Sequence, residues 1–169
     1  DPSVAAKVSG QFGKANLTYT FARDEHSPLV LPFEEQSEFV ALGKSVSNIA
    51  RARYSIKDDT YVGALFTDRR VDDGGAGTVV GGDANVRFLG NYRLEFQALA
   101  SHTEEPGGIP VSLAGDPDSI DTFDSGKHTV NLDEEAYWGY GQYTSLERDA
   151  RTWSFDLDYY AYSPTFRTD

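Results

Sequence analysis

The stretch Gly81 to Ser101, GGDANVRFLGNYRLEFQALAS, alternates with a period of two on both sides of a short break. Gly82, Ala84, Val86 and Phe88 share one side, and Gly81, Asp83, Asn85 and Arg87 share the other. After Leu89-Gly90-Asn91, the residues Tyr92, Leu94, Phe96, Ala98 and Ala100 continue the apolar side. Arg93, Glu95, Gln97 and Ser101 continue the polar one, with Leu99 the apolar residue out of place. Successive side chains of a strand point to opposite faces, so this pattern predicts two antiparallel strands joined by a tight Gly-Asn turn. One face is apolar and aromatic, and the other carries both signs of charge. No segment places apolar residues at helical spacing over a useful length.

The same signature recurs along the chain. Val4 to Phe12 and Ala15 to Phe21 alternate around Gly13-Lys14. Ala50 to Ile56 alternates, Lys57-Asp58-Asp59 turns the chain, and Tyr61 to Arg70 follows, apolar on both faces at its start. Val71 to Gly77 reads as a flexible connection of medium length. Ala136 to Thr144 reads as a strand and Ser145 to Ala150 as a charged turn. The last strand, Trp153 to Tyr162, ends at Pro164. Two stretches break the pattern. Residues 24–47 hold Pro28, Pro32 and Glu34-Glu35 and read as a long loop with some structure, and residues 103–133 read as a long polar loop. The prediction is one domain over residues 1–169: eight antiparallel strands in four hairpins, with short turns at one end and long loops at the other. That is the layout of an up-and-down β-barrel, or of an eight-strand segment of a larger transmembrane barrel. A sandwich mixes its loop lengths and uses Greek-key connections.

Composition narrows the function. A formal net charge of -12 over 169 residues argues against a nucleic-acid partner. There is no cysteine, hence no disulfide framework and no thiolate metal site. No run of about 18 apolar residues exists for a transmembrane helix. The mean hydropathy of -0.48 leaves a barrel open, because barrel strands alternate. The opening Asp1-Pro2 reads as the start of a mature or excised piece, with no signal peptide left to read.

Alternation alone does not say which face is inside. A soluble barrel hides the apolar face, and a membrane barrel hides the polar one. Charge of both signs on nearly every strand suits a wet lumen. Apolar faces rich in Ala and Gly suit lipid, and aromatics near strand ends suit interfacial girdles. On this reading Val86, Phe88, Leu94, Phe96, Phe155 and Leu157 point outward to a lipid bilayer. Lys7, Arg51, Arg53, Asp83, Arg87, Arg93, Glu95, Asp156 and Asp158 line the lumen. The alternative is a soluble antiparallel β-barrel or sandwich that binds a ligand.

Three segments, YVGALFTDRR, GGDANVRFLGN and WSFDLDYYAYSPTFRTD, resemble the C-terminal barrel of a bacterial outer-membrane family. Its members carry an N-terminal domain like the family 9 carbohydrate-binding modules. The opening VSGQFGKANLTYTFARDE is similar to that barrel's early hairpin. The likeness covers most of the chain in patches and omits residues 24–47 and 103–133. That barrel is longer than this chain. The resemblance therefore implies a piece of a bacterial outer-membrane barrel, completed by other barrel strands or subunits. The role expected of such a barrel is non-enzymatic, the passage or docking of a solute, and the family's carbohydrate-binding domain makes a saccharide a candidate ligand.

Chemistry-bearing motifs are few. His26, His102 and His128 lie in or beside long loops without ligand spacing, and no GxSxG, HExxH, P-loop or Rossmann pattern is present. Asp156 and Asp158 share one face of one strand, as an acid/base pair would, but lumenal carboxylates more often pair with cations. Asp116, Asp118, Asp121 and Asp124 are closely spaced hard ligands that could take calcium, without the Gly and terminal Glu of an EF-hand loop. If eight strands close alone, Lys7 on the first should approach Asp156 or Asp158 on the last. A larger barrel, the favoured form, leaves those two edges for other strands.

Overall fold

The computed structural model describes residues 2–32, 37–57, 59–72, 74–107 and 122–168. Its main sheet has eight strands: β1 (Pro2–Phe12), β2 (Ala15–Asp24), β5 (Ser45–Lys57), β6 (Thr60–Val71), β7 (Ala76–Phe88), β8 (Tyr92–Glu104), β11 (Ala136–Arg148) and β12 (Phe155–Tyr162). They lie side by side in that order, each antiparallel to the next. Two short hairpins form ladders of their own. β3 (Ser27–Pro32) pairs with β4 (Ser37–Leu42), and β9 (Thr122–Phe123) pairs with β10 (His128–Thr129). Among the described residues there is no helix.

The predicted all-β antiparallel meander is the observed fold, with corrections at the edges of elements. Ser145 to Arg148 is strand, not turn, because the alternation persists to Glu147 and Arg148 and both pair with β8. The connection between β6 and β7 shrinks to residues 72–75, so the long-loop end has one tight link. The structure expected within the loop 24–47 is the β3–β4 hairpin, and the β9–β10 hairpin stands within the stretch 103–133 that reads as polar loop.

Register turns the alternation into rows. Val8, Tyr19, Ala50, Phe66, Val80, Ala100 and Tyr140 lie opposite one another across seven strands. Phe12, Ala15, Tyr54, Val62, Ala84, Phe96, Thr144 and Tyr159 form another row of the same face. Val86, Leu94, Leu146 and Leu157 form a third. This apolar face is the exposed one. Phe66, Val80 and Phe96 in the central strands are each about two-fifths exposed, and Leu157 is 64% exposed. The opposite face carries the charges, and it is enclosed toward its middle and its long-loop end. Asp83 has a side chain only 11% exposed, and Ser101 is buried.

Among the described residues, apolar burial is confined to the long-loop end. Val79, Leu132 and Tyr137 are the buried hydrophobic residues among those described. Phe123, His128 and Tyr137 form a cluster of rings with centroids 4.9–5.6 Å apart. After β12 the chain folds back over the polar face. Thr165 donates its hydroxyl to the Trp138 carbonyl at 2.7 Å, and the Arg167 amide donates to Ser101 Oγ at 3.2 Å. Gly139 permits this approach: a β-carbon there would stand 2.4 Å from Phe166 Cα and 2.5 Å from the Thr165 carbonyl. Gly139→Val is therefore expected to expel the segment. Hydrogen exchange at the Arg167 amide should rise to that of open chain while the β8–β11 ladder keeps its protection.

Candidate functional site

All nine residues predicted to line a lumen share the polar face. The register sets Arg53 in line with Gly63, Asp83 and Gln97, and Asn85 with Glu95, Ser145 and Asp158. Arg87, Arg93, Glu147 and Asp156 make the next row. Lys7 and Arg51 lie on the same face further along the strands.

The strongest pairing crosses a strand. Arg51 on β5 reaches over β6 to Asp83 on β7 in a two-pronged contact, Nη1 to Oδ1 at 2.5 Å and Nη2 to Oδ2 at 2.7 Å. Gly63 lies beneath it. A β-carbon there would stand 2.6 Å from Asp83 Oδ1 and 2.9 Å from Arg51 Nη2. A bidentate, partly enclosed arginine–carboxylate pair is the strong kind of ion pair, and truncating one partner would leave the other short of compensation.

Toward the short-turn end, a groove of about 420 Å³ opens between Arg53, Tyr61, Asn85, Arg87, Arg93 and Glu147. Arg53 lays its guanidinium over the Tyr61 ring, 3.6 Å from the centroid. Arg87 pairs with Asp59 at 2.8 Å. Arg93 bonds Glu147 and lies 3.5 Å from Glu95, whose carboxylate also accepts from Asn85 at 3.0 Å. The groove offers fixed donors and acceptors of both signs, suited to a polar solute.

Asp156 and Asp158 stand on the edge strand. Each accepts one hydroxyl, from Ser145 and Tyr143 respectively, both at 3.2 Å. Lys7 is on the far edge, and among the described residues no ion pair links it to either aspartate. β1 pairs only with β2 and β12 only with β11, so the eight strands do not close on themselves. Of the predicted calcium ligands, Asp116, Asp118 and Asp121 lie outside the described residues. Asp124 lies in a turn and pairs with Lys127 at 2.8 Å. A different trio, Glu105, Asp133 and Glu135, is brought together where the β8–β11 connection leaves and rejoins the sheet.

Sequence reasoning missed Glu147 and Asp59, which hold two of the arginines. Glu147 was findable, since it continues the alternation of Tyr143 and Ser145. Asp59 sits in a turn and had no such signal. No protein-family model, curated protein or solved structure matches the chain.

Gly63→Ala is expected to destabilise the protein by about 1–3 kcal/mol by overpacking against the ion pair. In an Asp83→Ala background the same change should cost much less. Urea midpoints of the parent, the two single variants and the double variant give the coupling, expected at about 0.5–3 kcal/mol.

Proposed function

We propose that the chain is a wall segment of a bacterial outer-membrane β-barrel, non-enzymatic, serving solute passage or docking. The observation that carries this reading is the exposure of the sheet's aliphatic and aromatic face across adjacent strands, while the opposite face carries the charges, open at the short-turn end and enclosed at Asp83 and Ser101. Soluble monomers rarely expose contiguous apolar patches beyond a few hundred Å². In a bilayer that face meets lipid, and charges facing the lumen stay hydrated or paired.

The two tryptophans support the same placement. Trp138 stands beside His102 at the long-loop side of the apolar face, and Trp153 lies over Arg148 at the short-turn side. From Trp138 to Arg148 the chain advances ten residues, or about 33 Å at about 3.3 Å each. At the strand tilt usual in barrels, about 35–45°, that projects to about 25 Å, the height of an outer-membrane apolar band.

Two consequences follow for the edges and the ligand. Unpaired strand edges are not tolerated in hydrocarbon, so β1 and β12 would pair with further strands in the assembled barrel. A saccharide as the ligand rests on the sequence resemblance, and the polar groove beside Arg53 and Arg87 is where such a solute would meet both donors and acceptors.

The chain has no cysteine, so single-cysteine variants carry no background. In the membrane-inserted full-length protein, Phe66→Cys and Val80→Cys should react with a lipid-soluble maleimide and resist a charged one. Gln97→Cys on the polar face should do the reverse. Equal reaction of both sets with the charged reagent, in protein that stays in solution without detergent, would favour the soluble ligand-binding alternative.

A further inference from the structure

The carboxylate trio at the long-loop end has no role in the barrel wall. Glu105, Asp133 and Glu135 each present an oxygen within 4.8 Å of the other two. Glu105 is only 9% exposed. One of its oxygens accepts the Tyr137 hydroxyl at 2.8 Å, while the other, Oε2, is buried with no hydrogen-bond partner. Glu135 Oε2 meets His128 Nδ1 at 3.0 Å and accepts the Thr129 amide at 3.3 Å. Asp133 Oδ2 accepts the Thr129 hydroxyl at 3.1 Å. These bonds tie two of the carboxylates to β10 and leave their remaining oxygens for another ligand. Among the described residues no lysine or arginine forms an ion pair with any of the three. Lys127 pairs with Asp124 instead.

A buried carboxylate oxygen without a donor, next to two further carboxylates, is costly unless something positive sits among them. His128 compensates Glu135 at most. Donors that are all hard oxygens suit calcium or magnesium rather than softer metals. Calcium accepts an irregular shell of carboxylates and water, where magnesium demands near-ideal octahedral geometry and keeps most of its waters. We infer that Glu105, Asp133 and Glu135 form a calcium site that fastens the β8–β11 connection to the sheet, with water completing the shell. Burial pushes the Glu105 carboxyl above the usual carboxylate range, and the charges of Glu135 and Asp133 add to that rise. The hydrogen bond from the Tyr137 hydroxyl works against it. A bound divalent cation would relieve the same repulsion.

The site is independent of the membrane placement and is tested separately. Calcium chloride is titrated calorimetrically into chelator-treated full-length protein. The expected result is one site with a Kd of about 10⁻⁵–10⁻³ M. Glu105→Gln and Asp133→Asn should each weaken it about tenfold or more, while Asp124→Asn leaves it unchanged. Asp133 is exposed, so that variant keeps the fold even if Glu105→Gln does not. Without calcium, Glu105→Gln should unfold at the same temperature as the parent or higher. No binding heat up to about 10 mM calcium, or binding that survives either ligand substitution, overturns the site. So does a Glu105→Gln variant equally destabilised with and without calcium, which would mark Glu105 as a hydrogen-bond partner of Tyr137 alone.

Discussion

The unbroken antiparallel ladder from β1 to β12 is the constraint on which the rest of the structure depends. It satisfies the backbone strand by strand, and it forces residues two apart onto one face. A one-residue slip anywhere would send aromatics among the arginines, so the contrast between the faces also holds the register. The Arg51–Asp83 pair reinforces that register across three strands, because it forms only where Gly63 leaves the middle strand bare.

The two ends of the sheet differ in kind. At the short-turn end the polar face is open and ringed by arginines held by Asp59, Glu95 and Glu147. At the long-loop end it is filled by the ring cluster of Phe123, His128 and Tyr137, and by the segment from Ser163 to Arg167. On the proposed placement, the open groove would face one side of the membrane and the packed cap the other. A solute would then meet charged donors first and a built obstruction further in.

Much of this was legible in the sequence, because period two is local. The hairpin at Leu89-Gly90-Asn91, the eight long strands and the shared face of nine charged residues follow from reading alternate positions. What is opposite what is not local. Arg51 and Asp83 are 32 residues apart and meet across an intervening strand, which no spacing rule indicates. Glu105 meets Asp133 and Glu135 only because a long connection returns to its origin. The β3–β4 hairpin was obscured by Pro28 and Pro32. Both are tolerated because the isolated pair leaves each strand with an unpaired edge.

The central claim is that the apolar face meets lipid, with the two tryptophans marking its upper and lower limits. Fluorescence quenching by phospholipids brominated at different acyl depths tests it, in Trp138→Phe and Trp153→Phe variants that each retain a single tryptophan. Both tryptophans should be quenched more by bromines near the headgroup than by bromines at the bilayer centre, and both should be shielded from aqueous acrylamide. Full quenching by acrylamide with none from any brominated lipid would contradict the account.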